Sequence, residues 1–259
     1  MDYKYLLFSR ENGTGIVTIN RPQVLNALNI DVFSELYAMF TDMEKDASIK
    51  SVVLTGSGDR AFAAGVDITE MQKEDFDINN FIKIARRAGD QIYNLTKPVI
   101  AAVNGYAYGG GNELALCCDL RIASENARFA QQEINLGIIP GGGAIQRLTR
   151  LIGMTKAKEL VFTGDEIDAA TALELGFINR VVSREKLMDE SLTLAQKLSD
   201  KSSIALALAK KAFNTGIDMS LAEGLDMDER YFAACFRSED RKEAMKAFVE
   251  KKRPEFKGE

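Results

Sequence analysis

Histidine is missing from this sequence altogether. Its absence removes Ser-His-Asp and Cys-His catalysis. Proton transfer near neutral pH must then fall to a shifted carboxylate, a lysine, a tyrosine or a cysteine. Cysteine is scarce as well. Cys117, Cys118 and Cys235 are the only three, two of them adjacent and none in a C-x-x-C pair. That pattern fits reduced, buried thiols of a cytoplasmic protein and offers no metal set. No apolar run approaches the ~18 residues of a membrane span. The start of the chain, Met1-Asp2-Tyr3-Lys4-Tyr5, is polar and lacks a signal-peptide pattern. Basic charge is not in excess. The net charge of −5 counts against a nucleic-acid partner, whose phosphates need a basic face. The small clusters Lys210-Lys211 and Lys251-Lys252-Arg253 read as solvated helix surface.

What is present is enough for one large domain, or a domain with a smaller appendage, and a substantial core. Tyr5–Ser9 and Gly15–Asn20 flank the turn signal Glu11-Asn12-Gly13 and predict a hairpin. Val32, Phe33, Leu36, Tyr37, Phe40 and Met43 recur at spacings of three and four, which predicts a helix over about 30–46 with Asn29 as its cap. Ser51–Thr55 reads as a strand, 79–95 as a second helix, and the wholly apolar 98–103 as a strand buried on both faces. Strands alternating with helices predict an α/β domain. A helix is expected from Gly110 to Cys118, then strands at 118–123 and 179–182. Helical spacing marks 143–152, 154–162, 168–175, 184–199, 202–216, 218–235 and 239–250. From Ser202 the pattern is helical alone. It suggests a core over 1–200 and a C-terminal helical region over 201–259, packed on the core or on another subunit. No pattern recurs at a solenoid period.

Three glycine-bearing loops could hold a ligand: Arg60–Ile68, Asn104–Gly111 and Pro140–Gly143. The first two follow strands of parallel type, where α/β folds place ligands. None is a Walker loop, and the dinucleotide pattern also fails. Gly109-Gly110-Gly111 opens a helix, leaving backbone N–H groups unshielded where the helix dipole is positive. Two glutamates stand in unusual frames. Glu113 lies between that glycine run and Leu114–Cys118, and Glu133 precedes the apolar stretch Ile134–Ile139. Both frames look buried, and a buried carboxylate must be paired or neutral. Two such groups close together would split their titrations and hold one proton between them at neutral pH. That supplies one acid and one base.

With these residues the chain resembles the crotonase (enoyl-CoA hydratase/isomerase) family from end to end. The resemblance rests on Asn20-Arg21-Pro22 with Leu25–Leu28, Phe62–Ile68, Lys97–Gly105, Gly109–Leu114, and Glu133 through Gln146-Arg147-Leu148. It implies a crotonase-like spiral of ββα units with a C-terminal helical trimerisation region, in a homotrimer or a hexamer of two trimers. It implies an acyl-CoA thioester as substrate and no separate cofactor, coenzyme A being part of that substrate. The oxyanion hole carries over to the backbone N–H groups of Val66 and Gly110. Glu113 and Glu133 carry over as the catalytic pair holding one water, with Glu113 activating it for attack at C3 and Glu133 exchanging the proton at C2. Contacts to coenzyme A carry over to Ala64, Asp67, Ile68 and Thr69 through their backbone, and to Arg60, Phe232 and Lys251 near the phosphates or tail. Both glutamates being present, the expected reaction is hydration of a 2-enoyl-CoA with a short acyl chain. Val66, Thr69, Gln132 and Ala144-Ile145 depart from the usual pattern. They leave open an isomerase, or a hydratase for a branched, cyclic or dienoyl substrate. A non-catalytic RNA-binding or scaffold member of the fold is the third reading.

Overall fold

The computed structural model describes residues 3–259; Met1 and Asp2, the first residues of the polar N-terminal stretch, lie outside the described residues. The hairpin forms as expected. β1 (Leu6–Glu11) and β2 (Thr14–Ile19) are joined by Asn12 and Gly13, both at positive φ (47° and 81°), as a type I′ turn requires. β2 then pairs in parallel with β3 (Ser51–Gly56). The short strand β4 (Ala61–Ala63) leaves that sheet. β5 (Val99–Val103) returns to the large sheet and β6 (Tyr106–Tyr108) leaves it again. β7 (Leu120–Ser124) and β8 (Arg128–Ala130) repeat the step. β9 (Ile167–Asp168) and β10 (Arg180–Val182) complete the two sheets. Their orders are β1-β2-β3-β5-β7-β10 and β4-β6-β8-β9.

Each turn of this spiral ends in helix. α1 (Ile30–Lys45) follows the hairpin, and the Asn29 side chain caps it by accepting from Val32 N. α2 (Ile68–Met71) and α3 (Ile78–Asn94) follow β4. α4 (Gly110–Cys117) follows β6, and α5 (Ala144–Thr163) comes after β8. α5 bends at Gly153 (φ 78°, ψ 159°), so the two segments expected on either side of residue 153 meet there. α6 (Ala169–Glu174) and α7 (Leu187–Ser199) close the core. β3 and β5 are buried along their whole length. One face packs Leu54 and Ala101 with Leu36, Phe40 and Ile92 of α1 and α3. The other packs Val53, Ile100 and Ile122 with Leu187 and Ala195 of α7. Among the described residues no helix is long and apolar enough to cross a membrane.

The remaining helices are α8 (Ser203–Gly216), α9 (Leu221–Arg237) and α10 (Glu239–Val249). The sequence placed Lys210 on solvated surface, and the structure corrects this. Its ammonium donates to Asp119 Oδ2 (2.7 Å) and to the carbonyl of Lys97 (3.2 Å), with 9% of the side chain exposed. Asp119 Oδ2 also accepts from Val99 N (2.7 Å), so one carboxylate ties α8 to the edge of β5. Lys211 is exposed, as expected. Cys117 and Cys118 are buried, but Cys235 is only half-buried because α9 keeps one face open. Lys210→Met should lower stability by roughly 3 kcal/mol, the low end for leaving a buried partner charge unpaired. Lys211→Met should stay within about 0.5 kcal/mol, as surface changes do. Urea denaturation of both variants checks this, and equal midpoints would contradict it.

Candidate active site

The site begins where β4 ends. The Asn26 amide, fully buried, donates to the carbonyls of Ala61 (2.8 Å) and Ser57 (3.0 Å). Leu28 then pairs with the segment beyond: Leu28 N donates to Gly65 O (2.8 Å) and Asp67 N to Leu28 O (3.0 Å). Arg21 pairs with the Asp67 carboxylate at 2.9 Å, and the same carboxylate caps α2 by accepting from Thr69 N. These contacts fix the backbone of Val66 between them.

α4 approaches this segment as closely as a backbone can. A Cβ at Gly111 would lie 1.9 Å from Ala63 O, and one at Gly110 would lie 3.0 Å from Val66 Cγ2 and 3.6 Å from Val66 N. Gly109 enters the helix at φ 46°. Only glycines fit, and the result sets the first turn of α4 beside Val66. The N–H of Gly110, as a first-turn donor, has no acceptor inside its own helix. The positive end of the helix dipole adds to it. At the far end the buried Arg121 side chain donates to Cys118 O (2.7 Å) and Ala115 O (3.4 Å), closing the negative end of the same helix. It also holds Phe177 O.

Glu113 sits one turn into α4 and is 8% exposed. Its Oε1 accepts from Gly142 N (2.7 Å) and from Ala144 N (3.1 Å), the first residue of α5. Burial raises its pKa, against the pull of those backbone donors and of Arg147. Arg147 in turn donates to Gly142 O (3.0 Å) and lies over the Tyr93 ring. Glu133 stands in the 3-10 turn Gln132–Leu136, and its Oε1 would be 2.9 Å from a Cβ at Gly109. With the Gln131 amide turned nitrogen-inward, that nitrogen donates to both Glu133 oxygens (3.1 and 3.2 Å), and its oxygen accepts from Asn112 Nδ2 (3.0 Å). Burial pushes the Glu133 carboxyl up to about 7, and the charge of Glu113 adds to the rise. The apolar stretch Ile134–Ile139 suggested a buried Glu133. Glu133 is instead half-buried, and Leu136 and Ile139 are 57% and 66% exposed. The 3-10 turn has one inward side only, and its apolar stretch forms a wall of the cavity below.

Both glutamates line one cavity of about 770 Å³, together with Ala64, Val66, Ile68 and Gly110. The structure does not bring the other sequence candidates into it. Asp67 and Thr69 are occupied in the cap of α2, and Arg60 is exposed with its carbonyl accepting from Tyr106 N. Phe232 stacks on Phe236 on the open face of α9, and Lys251 lies exposed beyond α10. Sequence reasoning missed the opposite wall. Phe81, Ala85 and Gly89 of α3 and Cys117 of α4 line it. The apolar stripe of α3 was the available signal, but it read as core packing.

The enoyl-CoA hydratase/isomerase family model matches residues 9–259. The chain belongs to that family. It is 46% identical over 257 residues to a protein of Rhizobium meliloti named probable enoyl-CoA hydratase, covering 99% of each chain. It is 42% identical to the short-chain-enoyl-CoA hydratase of Clostridium acetobutylicum, covering 98% of each. The crystal structure of an enoyl-CoA hydratase from Bacillus anthracis superposes with a TM-score of 0.96 at 36% identity, covering 99% of this chain and 100% of that one. The crotonase fold expected from the sequence is therefore the one observed. Gly111→Ala should cost about 3 kcal/mol or more, because the clash is with backbone that cannot turn away. Gly141→Ala, whose Cβ meets nothing within 4 Å, is the control. Soluble yield and thermal melting compare the two. A folded, fully stable Gly111→Ala would contradict the close approach described here.

Proposed function

We propose that the chain is an enoyl-CoA hydratase, adding water reversibly and syn across the double bond of a 2-enoyl-CoA to give a 3-hydroxyacyl-CoA. One observation carries this: two carboxylates of raised pKa line the same cavity as a pair of adjacent backbone donors. The thioester oxygen sits on the Val66 and Gly110 N–H groups. Each donor contributes typically ~3–4 kcal/mol as the enolate develops. Water held between the carboxylates gives its oxygen to C3 and a proton to Glu113, while the Glu133 carboxyl gives its proton to C2. The enolate electrons return to the C2–H bond, and one proton is left on the pair. The names of the relatives agree with this reading, as does the presence of both glutamates. Arg60, Asp67, Thr69, Phe232 and Lys251, outside the cavity, are assigned to the coenzyme A portion of the substrate. Residues 201–259 are assigned to self-association, with Phe213, Leu221 and Phe248 exposed by 80% or more on the isolated chain.

Crotonyl-CoA turnover, followed by loss of the enone absorbance, tests the reaction. Glu113→Ala and Glu133→Gln should each lose at least ~100-fold, the low end for acid–base groups. Full activity in either would exclude the two-carboxylate mechanism. Hydration releases no net proton, so its equilibrium constant has no pH dependence and both directions must share one kcat/KM profile. The active state is the singly protonated pair. Activity should therefore fall, in both directions, as pH rises through about 7 and the last proton leaves Glu133. Glu113→Gln removes a neighbouring negative charge and should lower the Glu133 pKa, with burial still holding it above the ordinary carboxylate range. Carboxyl-carbon NMR of the free protein reads that shift, and an upward move would refute the coupling.

A further inference from the structure

The hydratase reading leaves the length of the acyl chain undefined, and α3 bears on it. Residues Ile78, Phe81, Ile82, Ala85 and Gly89 recur along one stripe of α3 and face the cavity. The stripe runs from Ile78 to Gly89, a rise of roughly 16 Å of helix. Gly89 lies in the interior of a continuous helix. An interior glycine weakens a helix relative to alanine, so its position needs a reason. Its missing side chain faces α4. A Cβ there would lie 3.2 Å from Cys117 Sγ, and both residues line the cavity. On α4 the cavity-facing residues are Gly110, Glu113, Leu114 and Cys117. From the proposed oxyanion donor at Gly110 to Cys117 is seven residues, about 10 Å along the axis. A four-carbon acyl group covers less than half of that distance. The remainder is walled by Phe81, Ala85, Leu114 and Cys117; Arg86 also borders the cavity, with its exposed guanidinium paired to Asp90 (2.7 Å).

We propose that Gly89 is a specificity-determining residue: by leaving the α3 wall without a side chain opposite Cys117, it extends the pocket past crotonyl to straight acyl chains of about eight carbons. Chain length is then set at the α3–α4 contact, away from the glutamates. Any side chain at position 89 shortens the pocket from one side, and a larger residue at 117 does so from the other. This rests on the acyl-CoA reading of the cavity, and the test separates the two.

The experiment measures kcat/KM of the full-length protein for crotonyl-CoA and 2-octenoyl-CoA, and calorimetric binding of saturated butyryl- and octanoyl-CoA. Each buried CH2 group is worth about fourfold in affinity. The unmodified chain should therefore bind octanoyl-CoA at least tenfold more tightly than butyryl-CoA, and turn over octenoyl-CoA within tenfold of crotonyl-CoA. Gly89→Val should reduce kcat/KM for octenoyl-CoA at least tenfold more than for crotonyl-CoA. Cys117→Leu, which leaves the helix backbone of α3 unchanged, should move the same ratio in the same direction, and serves if Gly89→Val does not fold. A glycine needed only for helix packing would lower the melting temperature and leave the ratio unmoved; that result overturns the proposal. Equal affinity for butyryl- and octanoyl-CoA overturns it too. Tight, length-dependent binding with no turnover of any enoyl-CoA would uphold the pocket and reject the hydratase reading instead.

Discussion

The close approach of the first turn of α4 to the backbone after β4 is the constraint on which the site depends. Gly111 has no room for a Cβ against Ala63 O, and Gly110 has little against Val66. Because the two backbones touch, two N–H groups from different segments lie side by side. One belongs to a helix terminus with no internal acceptor. The other is held by the Leu28 pairing and, behind it, by Asn26 and the Arg21–Asp67 ion pair. The spiral makes this geometry possible. β3, β5 and β7 of the large sheet each hand over to a short strand of the small sheet, and the next helix follows from there. Two successive turns of the spiral therefore deliver their loops to the same place.

The third turn completes the carboxylate pair. Glu133 comes from the turn after β8, and the N-terminus of α5 with Gly142 holds Glu113. Desolvation acts on both carboxyls in the same direction, but the compensation is unequal. Glu113 keeps two backbone donors and a nearby guanidinium, and Glu133 gains the charge of its partner. The unequal surroundings push the two titrations apart, as the acid–base roles proposed for the pair require in a chain without histidine.

Much of this was legible in the sequence. The hairpin was written in Asn12-Gly13, α1 in its spacing and its Asn29 cap, and the buried strands in runs such as Val99–Val103. The small sheet was not, because strands of two or three residues show no alternation. β4 and β6 therefore read as parts of ligand loops. The glutamates and glycines were readable because their neighbours are unusual. Lys210 was not, since a lysine on a helix gives no sign of an aspartate 91 positions away. The wall of the cavity on α3 looked like core for a physical reason. An apolar stripe facing an apolar cavity and one facing a hydrocarbon core have the same composition.

Arg121 carries a consequence for how such a protein can change. Its guanidinium grips the last carbonyls of α4 while the glycines seat the first turn, so the helix is fastened at both ends like a strut. A replacement that displaced α4 to reshape the cavity would carry the N–H of Gly110 with it. α3 has no such attachment to the donors. Variation in what the cavity admits can therefore accumulate on α3 without disturbing the end proposed to bind the carbonyl, while α4 stays fixed by its two anchorages.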